Sequence, residues 1–235
     1  MSSDPLSDAR ILDSWARNAT PWTEAVRENR IESRKLVTNR AILDAVLSRS
    51  PRRVLDVGCG EGWLVRALAE EGISGIGVDA VPALIEQAAS AGGGDFRVAS
   101  YEEIASGLLD VKVDVVVANF ALIGKDSVDG VIRRTPTLLE KDGALLIQTL
   151  HPLVATGDQP YEDGWRHGSW AGFSCNFSDP APWYFRTVET WKALITECGF
   201  GSIEVREPLH PATGKPASII FIASKPSLAR GSPGN

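Results

Sequence analysis

Val54-Leu55-Asp56-Val57-Gly58-Cys59-Gly60-Glu61-Gly62-Trp63 reads as a buried strand, an acid near its end, a glycine-rich turn and the start of a helix. A turn of this kind lets a ligand lie against bare backbone, where the N–H groups of a helix N-terminus point outward. A second acid gives the turn its meaning. Asp79 stands 23 residues after Asp56 and closes the apolar run Ile76-Gly77-Val78-Asp79. A carboxylate there can accept both ribose hydroxyls of a bound nucleoside.

The spacing selects among nucleosides. A dinucleotide fingerprint G-x-G-x-x-G begun at Gly58 needs glycine at position 63, and Trp63 stands there. With G-x-G-x-G preceded by Asp56, the segment resembles the first motif of class I S-adenosylmethionine-dependent methyltransferases. The resemblance covers roughly residues 33 to 150 and is nearest to the ubiquinone-biosynthesis-like small-molecule enzymes of bacteria.

That resemblance implies S-adenosylmethionine as cofactor and S-adenosylhomocysteine as product. Gly58, Cys59 and Gly60 would bring backbone N–H groups to the methionyl end, with Asp56 ordering the turn or meeting the ammonium group. Asp79, with Ala80 beside it, would hold the ribose. Arg34 resembles a position from which related enzymes hold the cofactor carboxylate. Where the family commonly has an acid for the adenine amino group, this chain reads Ala99-Ser100-Tyr101-Glu102. Ser100 would accept from the adenine and Tyr101 would pack on it. Asn119 and Phe120 take the fourth-motif position, and Asn119-Phe120-Ala121-Leu122 is not the Asn-Pro-Pro-Tyr type of amino-methylating DNA enzymes.

Periodicity gives an architecture that agrees. Apolar runs at about 53–57, 74–79, 95–99, 113–119, 143–150, 202–206 and 217–224 read as strands, most of them too continuous for a sheet with one wet face. Helical stripes alternate with them; the clearest is Val188, Trp191, Leu194, Ile195 and Cys198, with Thr187 as N-cap and Gly199 as stop. The expected fold is α/β, a doubly wound, mostly parallel seven-stranded sheet. Residues 207–216 leave no room for a helix, so the last strand must return antiparallel.

Two segments break the rhythm. Residues 1–32 read as an N-terminal helical cap carrying Trp15, Asn18 and Trp22. Residues 151–186 read as an acceptor-side insert or lid, dense in Tyr161, Trp165, Trp170, Phe173, Phe177 and Trp183. The methyltransferase domain is expected to span 33–225, with 226–235 as a disordered tail.

Composition narrows the class. A net charge of -6, with basic residues scattered among acids, weighs against nucleic acid as partner. No apolar run approaches the roughly 18 residues a bilayer requires, so no membrane partner is expected. Three cysteines make no disulfide framework, and a reduced, cytoplasmic setting is the default expectation. No metal-ligating pattern is present; oligomeric state is open.

In an open α/β sheet, ligands bind outside the carboxyl ends of the strands. His151, directly after the fifth strand, is therefore the first candidate to take a proton from a hydroxyl acceptor, and His210, in the loop between the last strands, is the second. His167, in the insert, reads as a surface residue. The expected activity is methyl transfer to a small, apolar or aromatic acceptor, with O-methylation favoured. Rival readings are a non-catalytic module that binds the cofactor or its product for a partner protein, an aminopropyl transferase, and an NAD-dependent oxidoreductase. Neutral Asn119 disfavours the second and Trp63 the third.

Overall fold

The computed structural model describes residues 4–173 and 176–226. One seven-stranded sheet organises them, built from β1 (Arg53–Val57), β2 (Ser74–Asp79), β3 (Asp95–Val98), β4 (Val113–Asn119), β5 (Leu139–Thr149), β8 (Ser202–Arg206) and β9 (Ile219–Ser224). Their spatial order is β3-β2-β1-β4-β5-β9-β8. Neighbours pair in parallel from β3 through β5, while β9 runs antiparallel to both β5 and β8. The reversal falls where the loop 207–216 is too short for a crossover helix.

Period-two burial explains the layers. Leu55, Val57, Val116, Leu145, Ile147 and Phe221 face one core, with Ile104 of α5 (Tyr101–Ser106), Ile132 of α6 (Asp126–Leu138) and Ile195 of α8 (Val188–Glu197). Val54, Val115, Val117, Leu146 and Ile222 face the other, against Ile42 of α2 (Asn39–Leu47) and Leu64 and Leu68 of α3 (Trp63–Glu70). Each fully buried Leu or Ile stabilises the fold by roughly 1.5–3 kcal/mol, so neither sheet face could be wet. α8 is bounded as read: Thr187 Oγ1 accepts the Thr190 N–H at 3.1 Å, and Gly199 turns at φ +91° just past its end.

The structure departs from the sequence reading in two places. β5 starts at Leu139, four residues earlier than expected, because α6 ends directly in the strand. The insert carries a short α7 (Pro152–Ala155) and a two-stranded hairpin of β6 (Gly164–Arg166) and β7 (Trp183–Phe185). The expected tail lies, from residue 227 on, outside the described residues.

Residues of the N-terminal segment form α1 (Asp8–Arg27), which docks on α4 (Pro82–Ala91) through Ala19, Val81 and Leu84, flanked by Trp15 and Trp22. Its other flank is tied to the insert. Asn18, fully buried, donates to the Ser178 carbonyl at 2.7 Å and accepts the Ser178 N–H at 3.0 Å. Arg10 and Arg17 both bind Asp179, and Ser14 Oγ donates to the Asp179 carbonyl. Trp170 packs edge-on to Trp15, with ring centres 5.8 Å apart. α1 thus crosses the carboxyl edge of the sheet with the insert behind it. No helix among the described residues is long and apolar enough to cross a membrane.

Candidate active site

Beneath α1 lies a cavity that is partly open to solvent and lined by both apolar and polar side chains, as small-molecule sites usually are. Its floor is the carboxyl ends of β1, β2 and β4. Arg34, Asp56, Gly58, Cys59, Gly60, Asp79, Ala80, Tyr101, Asn119 and Phe120 all line it. Residues far apart in the chain therefore converge as the first and fourth motifs implied.

The glycine-rich turn works differently from the expectation. Gly58 and Cys59 both donate their N–H groups to the Val78 carbonyl, at 2.8 and 3.0 Å. Gly60 donates to Asp79 Oδ2 at 3.0 Å. All three donors are thus spent on β2, and the turn offers shape instead. Gly58 sits at φ +73°, and a Cβ there would fall 2.4 Å from the Ala121 Cβ and 2.9 Å from the Tyr101 hydroxyl. A Cβ on Gly60 would approach Trp22 Nε1 to 3.4 Å.

Asp79 is held by two backbone donors, Gly60 N–H and the Val81 N–H at 2.9 Å, one on each oxygen. The Ala80 N–H also faces this carboxylate; with about four lone-pair sites it still has capacity for a ligand. Burial raises its pKa, partly offset by those backbone donors. Phe120 adds a strained backbone, with φ +54° at a bulky residue, directly after β4.

At the other end of the turn is a group of buried polar atoms with no hydrogen-bond partner among the described residues. They are Arg34 Nη2, Asp56 Oδ1, Glu61 Oε1 and Asn119 Oδ1. Arg34 is 8% exposed, sits in the π-helical turn Arg34–Thr38, and lies between the rings of Trp22 and Trp63, 5.5 and 5.1 Å from their centres. Burial lowers its pKa to about 10, against the pull of Glu61 and Asp56. Asp56 is pushed up to about 7, first by burial, then by the charge of Asp79, with Arg34 acting in the opposite sense. Orphaned buried polar atoms each cost on the order of 1–3 kcal/mol. One cation donor beside carboxyl and amide acceptors suits a zwitterion: a carboxylate on Arg34, and an ammonium on Asp56 and Asn119. The methionyl end of the expected cofactor fits this set, and the ribose fits Asp79.

Other expectations are redirected. Ser100 does not line the cavity. Its hydroxyl accepts the Glu103 N–H at 3.1 Å and its own N–H goes to the Glu103 carboxylate, a capping box that starts α5. Tyr101 lines the cavity, but its hydroxyl donates to the Ala121 carbonyl at 3.0 Å. Neither histidine lines it. His151, 3% exposed, binds Glu207 through Nε2 at 2.8 Å, and its Nδ1 has no partner. His210 Nδ1 accepts the Ala212 N–H within its own loop.

Sequence reading missed three participants. Glu61, 1% exposed, binds Arg27 and Arg66 and closes the cavity wall. Its place inside Gly60-Glu61-Gly62 was the available signal. Glu207 and Asp8 carried none, since each acts through a contact far along the chain.

Comparison with known proteins agrees with this geometry. A methyltransferase-domain family matches residues 27–205. The trans-aconitate 2-methyltransferase of Rhodococcus jostii is 33% identical over 109 residues, 46% of this chain; the match spans only 41% of that relative's length. Among solved structures, an S-adenosylmethionine-dependent methyltransferase of Mesorhizobium loti superimposes with a TM-score of 0.59 at 22% identity, over 77% of this chain and 96% of that one. Another, from Thermotoga maritima, gives 0.63 at 16% identity, over 92% of this chain and all of that one. At such identities the structural likeness speaks for the fold.

Proposed function

The chain belongs to the methyltransferase-domain family, and from that premise we propose that it transfers a methyl group from S-adenosylmethionine to a small, apolar or aromatic acceptor, with a hydroxyl oxygen as the favoured nucleophile. One observation carries the cofactor half. Asp79, tied to the glycine turn, and the orphaned Arg34, Asp56 and Asn119 atoms share a single cavity, and together they match a nucleoside joined to an amino acid. Bound there, S-adenosylmethionine supplies a sulfonium methyl: the acceptor's lone pair forms the new bond to carbon as the carbon–sulfur bond breaks and sulfur keeps the electron pair.

The protein's part is alignment and exclusion of water. α1 and the aromatic layer of Trp15, Trp22, Trp170 and Phe173 roof the site. Hydrogen bonding between Glu207 and His151 Nε2 leaves Nδ1 as the free lone pair when that nitrogen carries the proton, so His151 is the proposed proton acceptor for a hydroxyl. His151 is buried and stands outside the cavity lining, so this role requires its ring to turn out toward the acceptor.

Incubation with methyl-labelled S-adenosylmethionine and a panel of phenols, amines, carboxylates including trans-aconitate, and RNA tests this reading. Label in a phenol, falling about 100-fold or more in His151→Ala, is the expected result. Label in trans-aconitate or RNA would contradict the acceptor class, and undiminished transfer by His151→Ala would remove the proton acceptor alone.

A further inference from the structure

A 6-aminopurine buried in this cavity brings an exocyclic N–H₂ group that needs an acceptor, and the residues expected to serve are occupied. Ser100 is spent on the α5 cap and Tyr101 on the Ala121 carbonyl. Asp56 and Glu61 belong to the Arg34 end, where they act on its charge, and Asp79 sits against Gly60.

Asp8 lines the same cavity from the first turn of α1. Its Oδ1 accepts the Lys125 N–H and its Oδ2 the Ser127 N–H, each at 2.9 Å, at the start of α6. Asp79 is built the same way: a carboxylate with a backbone donor fixed on each oxygen and lone-pair capacity left over. Asp8 also lies at the far end of the roof. Trp22 covers Gly60 and stacks on Arg34, and 14 residues of helix place Asp8 about 21 Å further along the axis. Between them Ile11 and Leu12 of α1, Leu84 of α4 and Ile123 supply apolar walls. That the cavity takes a ligand rests independently on the orphaned Asp56 and Asn119 oxygens that share its lining.

We propose that Asp8 accepts the exocyclic amino group of the bound cofactor's purine, so that α1 reads the base while it roofs the site. The proposal rests on the cofactor reading above. Glu102 also lines the cavity, but it is exposed on α5 and has no backbone donors fixing it toward the site. Recognition by Asp8 ties base selection to the contact that holds α1 on α6.

The test compares S-adenosylhomocysteine with S-inosylhomocysteine, in which a carbonyl replaces the amino group, by calorimetric titration of the full chain. Wild type should prefer the adenosyl ligand about tenfold or more. In Asp8→Asn the side-chain amide can donate to the carbonyl, and the preference should shrink to near unity or invert. The ratio is read within one protein, so a general loss of stability does not imitate it. Asp8→Ser keeps an oxygen at α6 and must also lose the preference, which covers disruption by the amide. Equal binding of both ligands by wild type, or an undiminished preference in a folded Asp8 variant, overturns the proposal. Failure of wild type to bind S-adenosylhomocysteine at all would instead overturn the cofactor reading.

Discussion

Asp56 is a carboxyl group buried beside Asp79 with one oxygen unpartnered, and its pKa is pushed up to about 7. For an acid raised above its unfolded value, the folded chain binds the extra proton, so the contribution to stability is full below about pH 4 and is lost as pH rises through 7. Asp56→Asn should therefore stabilise the ligand-free protein at pH 8 and lose that advantage toward pH 4, as thermal melts across pH would record. A ligand ammonium reverses the preference by favouring the charged form. S-adenosylhomocysteine affinity should rise with pH up to about 7, by at most about tenfold per unit, and should be flat for Asp56→Asn. Gly58→Ala is expected to fail for a different reason: φ +73° and a Cβ 2.4 Å from that of Ala121 require Ala121 and its loop to move. A melting point within a degree of wild type, with cofactor affinity intact, would contradict this. These residues were legible because glycine and aspartate at fixed spacing state a backbone requirement. Which N–H groups the turn keeps for itself was not legible, since the Val78 carbonyl that takes two of them is anonymous in sequence.

At the scale of elements, α1 and the insert act as one roof, and Asn18 is the joint between them. Asn18→Ala would leave the Ser178 N–H without its partner and the Ser178 carbonyl with the Trp170 indole N–H alone, at a cost of about 1 kcal/mol. The charged links from Arg10 and Arg17 to Asp179 are partly solvated and should matter less. Hydrogen exchange should accelerate in α1 and residues 176–186 of that variant while the sheet stays protected; uniform acceleration would mean the roof is not a separate unit. Helices such as α8 were readable from stripe, cap and stop. The partnership of α1 with the insert was not, because tryptophans at 15, 22 and 170 name no partner until the fold brings Trp15 within 6 Å of both others.

Over the whole molecule, the strand pattern was legible because both faces of the sheet are buried, which leaves uninterrupted apolar runs. The antiparallel return of β9 followed from loop length alone. Side-chain roles at the acceptor end were the least legible, since His151 is defined by Glu207, 56 residues away. The order of β1, β2 and β4 at the switch point is what gathers Asp56, Asp79 and Asn119 under α1, and the central claim is that this gathering is a site for an adenosyl cofactor. Calorimetric titration of the protein and of Asp79→Ala with S-adenosylhomocysteine and with NADH tests it most directly. The account predicts micromolar S-adenosylhomocysteine binding, about -8 kcal/mol, weakened by roughly 3 kcal/mol in the variant, and no response to NADH. Binding of NADH with no response to S-adenosylhomocysteine would contradict it.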